Sequence, residues 1–330
     1  MNSQIPKHLQ EKKKHHYVWG YYLKNWSLDG KKVWRKTITG KVDCYEISGI
    51  LHENNFYRLT NLDEDHLLIV KSLFSDSHSK IKKMIFDFIQ FNFKVQLAED
   101  IVPTELLCVG ENRRILVAKS NSLENIHTAI EGNVKEILFA LANQDLSILD
   151  NDKNMINFIN YIAHQMTRTK PLKEFCIANI NKKNPQLGLK LEQCWWIISY
   201  FLGVNLGGNL YDSRKSDKYC LLINDTEEPF ITSDYPVLNV HPAIEDNSLA
   251  PLAEDEMDLY YPISPTVAYM INNSNTFEEG KVYVTLETVN KLNEKMAKNA
   301  LSHIVGNTEQ IIKKYKNDVG SWIKFIKSSN

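Results

Sequence analysis

The chain has 330 residues, 43% of them hydrophobic and 24% charged, with a formal net charge of -1. That composition supports a sizeable core and excludes a chain-wide field that would draw it to nucleic acid or an anionic membrane. Its cysteines, Cys44, Cys108, Cys176, Cys194 and Cys220, are scattered and form no C-x-x-C pair, which speaks against a disulfide framework and a zinc knuckle.

The opening MNSQIPKHLQEKKKHH is polar and basic without an apolar run, so it does not read as a secretory signal. Residues 1–14 are expected to form a flexible basic arm. Residues 15–60 read as a small β-rich part. Lys31 to Ile38 and Val42 to Ile47 alternate around Thr39-Gly40 as a hairpin would, and Phe56 to Leu59 is expected to add a third short strand. Residues 61–205 read as a helical core. Asn61 is expected to cap a helix continued by Leu67, Val70 and Phe74. Ile126, Ile130, Val134, Ile137 and Leu141 form the clearest helical stripe, followed by Ile156, Ile159, Ala163 and Met166. Pro171 should start another helix and Asn184-Pro185 should end it. Leu187 to Val204 reads as one mostly buried helix with Gly207-Gly208 as its cap. Its apolar run from Cys194 to Leu206 falls well short of the roughly 20 residues that span a bilayer. A cytoplasmic protein without membrane contact is expected.

Residues 206–330 read as hairpins and helices: strands at Tyr219–Ile223, Phe230–Thr232, Val237–Val240, Leu259–Ile263 and Val267–Ile271, then helices over Thr288–Leu301 and from Glu309. The acidic loop from His241 to Asp258 carries Glu245, Asp246, Glu254, Asp255 and Glu256; a solvated loop accounts for it better than a metal site. Strands, helices, strands, helices in that order predict an α+β fold with a mainly helical middle, its parts packed as one body. No phosphate-binding loop, dinucleotide fingerprint or H-E-x-x-H motif is present.

Three polar clusters exceed what their local elements need. His15 and His16 follow Lys12, Lys13 and Lys14; histidine acts as base or metal ligand near neutral pH, or as a buried hydrogen-bonded group. Tyr161, Gln165 and Arg168 share one side of a helix, where a guanidinium clamps an anion or bridges to Glu131. Ser233 and Asp234 follow an apolar strand piece, where they serve a site or simply a turn. The basic tail with Lys313, Lys314, Lys316, Lys324 and Lys327 reads as solvated surface or as a local nucleic-acid contact.

The segments HHYVWGYYLKNWS, FINYIAHQMTRTKP, PFITSDYPV, LYYPISPTVAYMI and VNKLNEKMAKNA, in that order, resemble the bacterial domain-of-unknown-function 4238 family. Trp19 stands where that family usually has proline, and Tyr235 where it has asparagine. The resemblance directs attention to His15, His16, Gln165, Arg168, Ser233 and Asp234 and supplies no reaction.

The expected function is a toxin-like or defence effector, a hydrolase that cleaves phosphodiester bonds in nucleic acid. His15, His16, Arg168 and Asp234 would be catalytic, and Tyr161, Gln165 and Ser233 would bind substrate. A divalent metal joining a histidine to Asp234 is compatible with this chemistry. The alternatives are a non-catalytic ligand-sensing or partner-binding protein, and a purely architectural role for the clusters. The oligomeric state is not legible.

Overall fold

A computed structural model describes residues 5–244, 256–321 and 324. Glu245, Asp246, Glu254 and Asp255 of the acidic loop, and Lys327 of the tail, lie outside the described residues. The N-terminal part contains β1 (Lys14–His16), the short helix α1 (Gly20–Leu23), β2 (Lys32–Lys36), β3 (Val42–Glu46) and β4 (His52–Asn54). The β2–β3 hairpin forms as expected. The third strand does not fall at Phe56–Leu59. It is β4, a few residues earlier, paired antiparallel with β1. The physical reason lies in the backbone donors: Tyr57 N–H bonds the His15 ring, and Leu59 N–H bonds the carbonyl of Lys119. Those donors are spent outside any ladder.

From residue 5 onward the basic arm is fastened to the helical part. Leu9 is buried and its carbonyl accepts Arg113 Nε at 3.1 Å. Glu11 pairs with Arg58 and Arg113, and Lys12 bonds Asn121 and Asn125.

The middle comprises α2 (Glu64–Leu73), α3 (Ser79–Ile101), α4 (Arg113–Ala142), α5 (Asp152–Thr167), α6 (Lys170–Lys183), α7 (Pro185–Gln193) and α8 (Trp195–Ser213). Asp63, not Asn61, caps α2, in a reciprocal box with His66. Pro171 lies in the first turn of α6, and Asn184 ends α6 and caps α7. The segment read as a single helix from Leu187 breaks at Cys194, and α8 continues through Gly207-Gly208 to Ser213. These glycines therefore do not cap the helix. A Cβ at Gly203 would collide with His164 and Thr167, and one at Gly207 would touch Asn160 and Ala163 at 3.5 and 3.6 Å. The glycines let α8 lie directly on α5.

The late part holds β5 (Tyr219–Ile223), β6 (Thr232–Ser233), β7 (Leu238–Asn239), β8 (Asp258–Ser264), β9 (Val267–Asn272), β10 (Gly280–Tyr283), α9 (Leu286–Asn299), β11 (Ile304–Gly306) and α10 (Glu309–Tyr315). One sheet runs β10-β5-β9-β8-β7, with only β10 parallel to its neighbour. Its central strands β8 and β9 are buried along their whole length. Leu259, Tyr261 and Ile263 pack with the helical middle, whereas Tyr260 faces a second core with α9 and α10. That two-sided burial explains the nearly unbroken apolar sequence.

A second sheet, β3-β2-β11-β6, joins the N-terminal hairpin to late strands. The protein is α+β with a helical middle, as expected. Among the described residues no helix is long and apolar enough to cross a membrane.

Candidate functional site

The middle cluster is built where α4 and α5 face each other. Arg168, the residue that caps the C-terminus of α5, is 1% exposed. Its Nη2 donates to Glu131 Oε1 at 2.5 Å. With the Gln165 amide oxygen turned toward the guanidinium, Nε donates to it at 3.0 Å. Burial disfavours the charge on Arg168, but Glu131 more than reverses that and holds the guanidinium charged. Burial in turn holds the Glu131 carboxyl above its ordinary range, opposed by Arg168. Tyr57 bonds the Arg168 carbonyl, and Tyr161 bonds the hydroxyl of Tyr261 at 3.0 Å. Tyr161 and Gln165, expected to touch substrate, are wholly buried in these contacts.

The late cluster is a knot. The Asp234 carboxylate accepts the backbone N–H groups of Leu301, Ser302 and His303 and the Ser302 hydroxyl. Ser233 is fully buried, its hydroxyl donating to the Tyr235 carbonyl and receiving the Tyr235 N–H. The Asp234 side chain holds the 301–303 turn against β6, while the Ser233 hydroxyl closes the local turn and touches Met296 Sδ on α9 at 3.1 Å. Tyr17, the neighbour of His16, lies within electrostatic range of Asp234 and Glu53.

The two histidines of β1 have different fates because successive strand residues point to opposite faces. His15 points inward, stacked on Tyr57, with Nδ1 accepting Tyr57 N–H and Nε2 bonded to the Lys12 carbonyl. Both ring nitrogens are occupied. His16 points to the other face, and the β1–β4 register sets His52 directly opposite. Their ring centroids are 5.3 Å apart. Lys14 and Asn54 pair two residues along and lie on the same face. The ladder thus presents Lys14, His16, His52 and Asn54 together, with both histidines half-buried and both outer residues exposed.

Burial lowers the pKa of each of these histidines, with His52 adding to the effect on His16 and Lys14 to the effect on His52. His52 Nδ1 has no hydrogen-bond partner among the described residues. Leu51 and Asn55, which flank β4, have φ of 53° and 59°. A leucine in the left-handed region costs about 1–2 kcal/mol, and such strain concentrates where a chain must hold a functional side chain in place.

Sequence reasoning missed His52, Glu124 and His127. Only the ladder pairing locates His52. The other two had a signal: Glu124, His127 and Glu131 at i, i+3 and i+7 share one face of α4. Glu124 is pushed up to about 7, mainly by burial. His127 is buried with neither ring nitrogen bonded among the described residues, and its ring lies 5.5 Å from that of His164. No group of three or more His, Cys, Asp or Glu side chains converges to hold a metal among the described residues. Asp234, expected to share a divalent ion with a histidine, has both carboxylate oxygens engaged by residues 301–303.

Trp19 resolves one departure from the family pattern. Its φ of -66° is the value a proline ring imposes, so the chain path after His16 is kept.

An α+β protein with a helical centre, closed by a sheet drawn from both ends of the chain, carries these clusters. It belongs to the family described as Protein of unknown function (DUF4238), whose model matches residues 14–193 and 200–310. No curated protein and no solved structure is similar to it.

Proposed function

We propose that the protein cleaves phosphodiester bonds in nucleic acid, the chemistry of a toxin-like effector, and that the open face of the β1–β4 ladder carries the reaction. The observation behind this reading is the His16–His52 pair beside Lys14. One neutral imidazole takes a proton from the attacking hydroxyl, and the other, protonated, gives one to the leaving oxygen. Lys14 balances charge that develops on the phosphoryl oxygens. Arg168 lies within electrostatic range of His16 and adds positive potential from the interior.

The test is cleavage of labelled single-stranded RNA and DNA by the purified protein, with Mg²⁺, Mn²⁺ or EDTA. His16→Ala, His52→Ala and Lys14→Ala should each lower the rate at least 100-fold while leaving the melting temperature nearly unchanged. No cleavage by wild type under any of these conditions, or undiminished cleavage by both histidine variants, counts against the proposal.

One observation favours the alternative of a non-catalytic partner-binding protein. Phe86, Leu97 and Ile101 lie on one face of α3 and are 60%, 61% and 71% exposed. That reading requires no cleavage of nucleic acid; it requires stable association with a protein partner.

A further inference from the structure

Lys119 is 7% exposed on α4, an uncommon place for an ammonium group. Its Nζ donates to Glu99 Oε2 at 2.5 Å and to Asn61 Oδ1 at 3.0 Å. A buried cation is tolerated only when paired, and Glu99 pairs it. The pair does not sit in packed core. It lines a cleft of about 760 Å³ between the segment 58–61, the end of α3 and α4.

The remaining hydrogen-bonding capacity of this cleft is divided by sign. An ammonium has three donors, and the third N–H of Lys119 has no protein acceptor among the described residues. Arg58 spends Nη1 on Ser120 Oγ and Glu11, while its Nε and Nη2 have no protein acceptor among those residues. The Asn61 amide nitrogen is likewise unused. Asp100, on the lining and exposed, is in no ion pair among the described residues. Leu59, Val102, Pro103 and Leu107 supply an apolar wall.

We infer that this cleft binds a small zwitterion of the α-amino-acid type. Its carboxylate meets the free donors of Lys119 and Arg58, its ammonium meets Asp100, and its side chain lies on the apolar wall. The cleft is open to solvent and lined more by polar than by apolar residues, and its volume is within the usual range for a small-molecule site. A simple anion would leave Asp100 unanswered, and a simple cation would face Lys119 and Arg58. This site is separate from the histidine face of β1–β4 and does not depend on the reaction proposed there.

The experiment is thermal unfolding and calorimetric titration of the full chain with glycine, L-leucine, L-glutamine, L-glutamate and L-arginine at millimolar concentration. Each is compared with its N-acetyl and its carboxamide derivative. At least one free amino acid should raise the melting temperature by about 2 °C or more. Both of its blocked derivatives should fail, and Asp100→Asn should weaken binding about tenfold. Asp100 is exposed and unpaired, so this variant keeps the fold; Lys119→Gln serves as a second variant where it folds. No shift with any of the five, a derivative as effective as its parent, or undiminished binding by Asp100→Asn overturns the inference.

Discussion

His15 accepts the backbone N–H of Tyr57 at 2.8 Å through Nδ1, which obliges its Nε2 to carry the proton shared with the Lys12 carbonyl. This ring is a bracket between β1, the arm and the segment after β4. His15→Ala should therefore lower stability, by about 1–3 kcal/mol for the orphaned Tyr57 N–H. His15→Asn, whose side-chain oxygen replaces the acceptor, should recover part of that. Urea unfolding of the two variants gives the comparison, and equal losses in both would remove the bracket role.

Arg168 and Glu131 form a buried pair, so breaking it from one side leaves an uncompensated charge. Arg168→Met should cost about 3–5 kcal/mol. Adding Glu131→Gln to it should restore a substantial part, because no lone carboxylate then remains. A double-mutant cycle with a coupling energy near zero would contradict the pairing as drawn.

Titration of the α4–α5 interior has two opposing parts. Burial raises the folded pKa of Glu124 from 4.5 to about 7. Its contribution is thus fully present below pH 4.5 and is lost as pH rises through 7. Burial lowers His164 from 6.5 to about 3. Its contribution is present above pH 6.5 and is lost as pH falls toward 3. Glu124→Gln should therefore stabilise the protein at pH 8, by about 1–3 kcal/mol, with little gain at pH 4.5. Melting temperatures of wild type and variant across pH 4 to 9 decide it; a parallel pair of curves would show that Glu124 is not perturbed.

The His16–His52 reaction carries its own pH signature. Both imidazoles are held below the ordinary histidine value by burial. If they act as base and acid, cleavage should follow a bell-shaped profile centred below pH 6.5, and each single-histidine variant should lose one limb, the acid limb with the base and the alkaline limb with the acid. A plateau that continues rising to pH 9 would point to a different base.

Gly203 is the contact that brings α8 onto α5. Gly203→Ala places a methyl group against His164 and Thr167, both buried, and should destabilise by about 1–3 kcal/mol. Gly208→Ala, with open space around its Cβ position, should be neutral or slightly stabilising. Identical melting temperatures for the two variants would refute the distinction.

Much of this architecture was legible because side-chain periodicity reports burial. The stripe on α4, the hairpin of β8 and β9 and the proline start of α6 follow directly from residue spacing. The pairing of β1 with β4 did not, because three-residue strands bounded by Leu51 and Asn55 in the left-handed region leave no alternating pattern. The same gap hid His52. Gly207-Gly208 misled because a glycine pair looks alike at a helix end and at a close helix–helix contact; only the partner helix distinguishes them. The residues around Asp234 allow either a site acid or a turn residue. What it does, gathering three successive N–H groups from residues 301–303, depends on a segment far away in sequence.

The sheet β3-β2-β11-β6 has a consequence for how the chain is made. Lys36 reaches the carbonyl of Ser302 across 266 residues, and β2 pairs with β11 directly beside it. On the ribosome the hairpin emerges well before β11, so one edge of β2 stays open until Ile304–Gly306 has been synthesised. Such distant closure is slow, and an open strand edge invites pairing with a neighbouring chain. Lys36 on that strand carries a charge of the kind that discourages such pairing, while Lys32 and Arg35 are already answered by Glu46 and Asp43 within the hairpin.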